Sequence, residues 1–235
     1  MTIQARPIEI TSLDGVVLRG QRWGSGPDWV VLLHDSGDDR DLDAWRPLLP
    51  AIMTPERTLM TLDLAGHGAS DGEPESARLL SDLDAMLDAA AEWGATWIAL
   101  AGAGDSARHI LQKASSRLID ALVLLSPRLS EEQIHQLRGQ GEPKLFAVGS
   151  RSQQLNANTR QARNASIGWA MLVSLPTEQQ GTDLLFGAYS AQLIERIVAF
   201  LAEQRAIART RLPRLSEPKR VDASNGEEKT ASRQT

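Results

Sequence analysis

The side chains able to do chemistry in this chain gather around one stretch, Thr96 to Ala114, TWIALAGAGDSARHILQKA. Its centre places a hydroxyl, Ser106, next to a carboxylate, Asp105, just after Gly102-Ala103-Gly104. A serine attacks a carbonyl only when a base takes its proton and a third group orients that base. The available bases are four histidines, His34, His67, His109 and His135, and no imidazole follows His135. More carboxylates follow His34 in HDSGDDRD, which holds Asp35, Asp38, Asp39 and Asp41. The chain has no cysteine. Thiolate catalysis, disulfides and cysteine-ligated metal sites are therefore excluded within it.

These residues need elements to hold them. The apolar run Trp97 to Ala101, the small residues 102–104 and the helix formers up to Ala114 predict a buried strand turning sharply into a helix. Upstream, Ile3 to Thr11 and Val16 to Trp23 flank Leu13-Asp14-Gly15 and predict a hairpin. Trp29 to Leu33 reads as a strand covered on both faces, ending in the acidic loop. Leu42 to Ile52 has helical spacing interrupted by Pro47 and Pro50. Thr58 to Leu64 is the next strand and runs into DLAGHGASDGEPES. Ser76 to Trp93 carries Leu79, Leu80, Leu83, Met86, Leu87 and Ala90 on one helical face, with Gly94 as terminator.

After the central stretch, strands are expected at Ala121 to Leu125, Leu145 to Val148 and Trp169 to Leu175. Helices are expected within Arg128 to Lys144, at Asn156 to Ala165 and at Ser190 to Arg205. Strands alternating with helices predict a mainly parallel sheet with helices on both faces, in one domain over residues 1–208. Residues 209–235 carry excess positive charge, two prolines and no apolar period, and read as a disordered polar tail. Trp45, Trp93, Trp97 and Trp169 are expected in the core or at an interface.

The order of hairpin, strand-HDSG, strand-DLAGHGAS, strand-GAGDS-helix and VLLSP resembles the α/β-hydrolase fold over residues 3–205. Asp63 to Ser70 is similar to the D-x-x-G-H-G-x-S loop common in that superfamily. The resemblance implies a mostly parallel sheet with an N-terminal antiparallel hairpin, and a catalytic triad at the strand ends. It places the nucleophile at Gly104, which has no side chain. A register two residues along places it at Ser106, the basis of an alternative reading as an atypical serine ester hydrolase. The acid position falls at Ser152 or Gln153, and the histidine position at Gln180, within a segment similar to H-G-T-D-L-L. Glutamine cannot accept and return a proton near neutral pH. The oxyanion amides belong near Asp35 or Ser36 and at Asp105, where two carboxylates oppose a developing negative charge unless their side chains turn away or bind a cation.

The resemblance therefore implies a lidless hydrolase-like protein without triad catalysis. Its remnant pocket, formed by His34, Asp35, Ser36, Gly104, Asp105, Ser106 and Gln180, would bind a small-molecule ligand or a protein partner. Only the short Arg128 to Lys144 link stands where many relatives insert a lid, so an open, shallow pocket is expected. Asp35 and Asp105, joined by Asp38, Asp39 and Asp41, could attract a cation, but their spacing matches no defined metal motif. No cofactor is expected. Gly102-Ala103-Gly104 lacks the third glycine and early-strand context of a dinucleotide site, and no P-loop occurs. A net charge of −5 gives no general attraction to nucleic acid or anionic membranes. MTIQARPIEI lacks the basic start and apolar core of a secretory signal, and no stretch is apolar enough to span a bilayer, so a cytoplasmic protein is the expectation. The oligomeric state is left open.

Overall fold

A computed structural model describes residues 4–36, 40–75, 78–114 and 118–210. The Asp14-Gly15 turn joins β1 (Arg6–Thr11) to β2 (Val17–Gly24) as an antiparallel hairpin, with Ile8 opposite Gly20. Then come β3 (Asp28–Leu33), α1 (Leu49–Ile52), β4 (Arg57–Leu62), α2 (Leu79–Glu92), β5 (Trp97–Ala103) and α3 (Gly104–Ala114). The chain continues through β6 (Ala121–Leu125), α4 (Glu131–Gln136), β7 (Lys144–Gly149), α5 (Gln153–Ala165), β8 (Ala170–Leu175) and α6 (Ser190–Thr210). The eight strands form one sheet in the order β1-β2-β4-β3-β5-β6-β7-β8. Every pair from β4-β3 to β7-β8 is parallel.

The continuous apolar runs within β3, β5 and β6 follow from burial on both faces. Successive side chains alternate between faces. Val31 and Leu33 therefore join one core, packed under α2 and α3 with Leu83, Met86 and Ile110. Val30 and Leu32 join the other, packed under α1 and α6 with Ile52, Ile197 and Phe200. Trp45 and Trp97 are fully buried, Trp169 stacks on Phe200 at 5.2 Å between ring centroids, and Trp93 is partly exposed.

Several elements differ in extent from expectation. Leu42 to Ile52 is no single helix. A 3-10 turn, Leu42–Trp45, precedes the four-residue α1, because Pro47 and Pro50 interrupt the amide ladder. The strand β5 runs two residues further than its apolar core, to Ala103. The helix α5 begins at Gln153 rather than Asn156. The helix α6 continues to Thr210, past the expected end at Arg205. The tail 211–235, Ser76, Asp38 and Asp39 lie outside the described residues.

Candidate functional site

The predicted residues follow the ends of β3, β5, β7 and β8, and Asp35, Gly104 and Asp105 meet at the ends of β3 and β5. Gly104 is the turn between β5 and α3 and has a φ of +53°, a left-handed conformation that favours glycine. Above it lies the carboxylate of Asp35, from the loop after β3. A Cβ built on Gly104 would overlap that carboxylate. The Asp105 amide donates to Asp35 Oδ1 at 3.1 Å. Asp35 thus caps the N-terminus of α3 from a distant part of the chain, where the helix dipole favours negative charge. Its side chain is almost wholly buried.

The two carboxylates do share a small volume, and the chain supplies its own cation there. Arg128, from the loop after β6, has Nη2 3.6 Å from Asp35 Oδ2 and Nη1 3.6 Å from Asp105 Oδ2. Arg128 is half-exposed and its backbone returns to the turn, its amide 3.5 Å from the Gly104 carbonyl. Sequence reasoning missed Arg128. Its position directly after VLLSP was the one available signal. Asp41 does not join the group. It N-caps the 3-10 turn, with Oδ1 accepting from the Asp43 amide at 2.9 Å. Among the described residues, no group of three or more His, Cys, Asp or Glu is placed to hold a metal ion.

Ser106 lies in the first turn of α3 and is fully buried. Its hydroxyl donates to the His34 carbonyl at 2.5 Å, tying α3 to the end of β3. No histidine ring is hydrogen-bonded to it among the described residues. His34 is itself fixed in the neutral state. Its Nε2 accepts from the Leu64 amide at 3.1 Å, which leaves the Nδ1 proton for the Asp35 carbonyl at 3.0 Å. Burial pushes its pKa down to about 4. His67 packs at 5.0 Å between ring centroids, and its Nδ1 lies 3.0 Å from the Ala65 carbonyl. Burial also lowers the pKa of His109, whose Nδ1 is 2.9 Å from the Asp105 carbonyl. His135 is exposed on α4. Ser36 is half-buried at the edge of the described segment.

The D-x-x-G-H-G-x-S loop braces itself. Asp63 Oδ1 accepts from the Leu42 amide and Oδ2 from the Ala69 amide, both at 2.8 Å, while Ser70 Oγ donates to the Asp63 carbonyl at 2.6 Å.

Gln180 closes the ends of β6 and β7. Its Oε1 accepts from Ser126 Oγ at 2.7 Å and from the Gly149 amide at 3.1 Å, and its Nε2 donates to the Gly149 carbonyl at 2.9 Å. Ser126, held at a φ of +49°, in turn accepts from the Gly181 amide at 2.8 Å. Ser152 precedes α5 without a side-chain capping bond, and Gln153 is the exposed first residue of that helix. Neither is hydrogen-bonded to Gln180 among the described residues. Ser152 instead lines a cleft of about 610 Å³ with Asp105, Arg108, Arg128, Gln154 and Asn158. From the link between β6 and β7, Leu129, Ser130 and Gln133 also line it.

No protein-family model matches the chain, and no curated protein matches its sequence. Solved structures do match. An esterase of Pyrococcus furiosus is 15% identical and superposes over 86% of this chain and 92% of its own, with a TM-score of 0.71. Est1E of Butyrivibrio proteoclasticus, solved with ferulic acid bound, is 16% identical over 84% of this chain and 99% of its own, with a TM-score of 0.72. The haloalkane dehalogenase DbeA of Bradyrhizobium elkani is 16% identical over 87% and 100%, with a TM-score of 0.66. Together with the strand order, these likenesses establish that the chain has the α/β-hydrolase fold.

Proposed function

We propose that this protein does not carry out triad acyl transfer and instead binds a small ligand or a protein partner at the strand ends, through the cleft beside the β5–α3 turn. The observation that carries the reading is the Asp35 carboxylate, seated over Gly104 and accepting from the Asp105 amide. In an acyl-transfer enzyme that amide must be open to the developing oxyanion. Here it is already bonded to a negative charge. Support also comes from Gln180, whose amide is used on both sides by Ser126 and Gly149. The alternative, ester hydrolysis by Ser106, would need a fully buried hydroxyl to leave the His34 carbonyl and find a base.

The cleft is the ligand-binding candidate. Its polar wall of Asp105, Arg128 and Asn158 meets apolar Leu129 and Leu155. That pairing of an apolar floor with a few polar groups suits a small amphiphilic molecule.

The test has two arms. Wild type and Ser106→Ala are treated with a fluorophosphonate and with short p-nitrophenyl esters. We expect no labelling and no turnover above buffer. Serine-dependent labelling with turnover that disappears in Ser106→Ala would sink the non-catalytic reading. In the second arm a fragment library is screened by saturation-transfer NMR against wild type and Ser152→Trp, which fills the cleft. The ligand-binding reading fails if no fragment loses its signal in the variant.

A further inference from the structure

The two edges of the sheet are built differently. The β1 edge carries Arg6, Pro7 and Glu9, with Glu9 in an ion pair with Arg19. Charges and proline are the usual protection of an open edge against further pairing. The opposite edge, β8, reads AMLVSL and has no charge, proline or glycine. Among the described residues no strand pairs with its outer side. The Trp169 and Leu175 carbonyls accept from the Lys144 and Ser150 amides on the β7 side. Alternation along a parallel strand then directs the N–H and C=O groups of Ala170, Leu172 and Ser174 outward.

Charge distinguishes the surface beside that edge. From Pro143 to Thr177 the chain contains no Asp or Glu, although its net charge is −5. On α5, Arg160 and Arg163 stand one turn apart, both exposed. With Asn164, Leu172 and Ser174 they line a shallow pocket of about 340 Å³ against the β8 edge. Arg163 donates to Asn164 Oδ1 at 3.3 Å, and neither arginine makes an ion pair among the described residues.

We propose that the β8 edge and the α5 arginines form a docking surface for an extended acidic peptide segment of a partner protein, added to the sheet as a ninth strand. Backbone groups of Ala170, Leu172 and Ser174 would pair with the segment. Its alternate acidic side chains would point to the α5 face and meet Arg160 and Arg163. A second copy of this chain fits less well. Twofold antiparallel pairing of β8 with itself sets α5 beside α5, so the arginines of both copies oppose one another. Nucleic acid would satisfy the arginines but leave the strand edge unpaired. This surface is separate from the cleft at the β5–α3 turn and does not depend on the function proposed for it.

The probe is a fluorescein-labelled peptide alternating Glu and Val, read by fluorescence anisotropy on the full chain. Binding that weakens at least about tenfold in Arg160→Ala/Arg163→Ala supports the proposal. A similar loss is expected when the peptide is N-methylated at alternate amides, which keeps its charge and removes its donors. That comparison leaves the protein untouched, so misfolding cannot imitate it. No binding up to millimolar peptide overturns the proposal. So does equal binding by the N-methylated peptide, by a Lys-Val analogue or by an oligothymidylate of the same charge. A dimer in sedimentation velocity that Leu172→Lys dissociates would assign the edge to a second copy and also overturn it.

Discussion

Placing a serine at the strand-to-helix turn tests the central contact most directly. Gly104→Ser puts a side chain into the space that the Asp35 carboxylate fills. A non-glycine residue at a φ of +53° costs about 1–2 kcal/mol. Pushing the carboxylate aside gives up its bond from the Asp105 amide, about 1.5–3 kcal/mol for a charged acceptor. The single variant is therefore expected to lose about 2.5–5 kcal/mol. Asp35→Ala removes the same bond and should lose about 2 kcal/mol. In the double variant that bond is lost once, not twice. Its stability should match Gly104→Ser and fall short of additive loss by about 2 kcal/mol. Urea unfolding at pH 7 with unchanged m-values reads all four proteins. Losses that add to within about 0.5 kcal/mol would refute the claim that Asp35 and a side chain at 104 compete for one space.

Three further outcomes follow from the same geometry. The native pKa of His34 is lowered to about 4 from 6.5, so the unfolded chain binds more protons between those values. The His34 contribution to stability is complete above about pH 6.5 and is lost as pH drops toward 4, a change of about 3 kcal/mol. In urea unfolding at stepped pH the slope in this window should flatten in His34→Asn, and an unchanged slope would assign it to other groups. Gln180→Ala should cost about 1–3 kcal/mol and speed amide exchange at Gly149, with Gln180→Glu recovering the accepted bonds but not the donated one. Lys144 is fully buried, donates to the Gln140 and Glu142 carbonyls, and has its pKa lowered by burial. Wild type should therefore gain stability as pH rises toward 10.5, and Lys144→Met should lose that dependence in thermal melts.

The fold was legible where local chemistry sets it. Asp14-Gly15 makes its own turn, the apolar runs become the buried strands, and Asp63 finds the Ala69 amide within its own loop. The site was legible only in part. The sequence marks Gly104, Asp35 and Asp105 as neighbours because strand order brings the ends of β3 and β5 side by side. It does not mark Arg128 as their counter-ion, since that contact depends on the path of the loop after β6. The same holds for Ser106 and Gln180. A serine in a first helical turn and a glutamine after a strand have many potential partners, and packing chooses the His34 carbonyl and Gly149. Asp41 shows the reverse case. Its role as a cap was readable from its place before Leu42, yet the crowd of acids around it suggested a shared pocket.

The seating of Asp35 also sets a threshold for anything that approaches the turn. A carboxylate anchored two residues beyond β3 acts on the Asp105 amide at an effective concentration of at least about millimolar. Free acids that bind that amide more weakly are outcompeted at ordinary cellular levels. A ligand of the proposed cleft would therefore draw most of its affinity from the cleft itself, so truncating the part that fills the cleft should abolish binding even when an acid group remains.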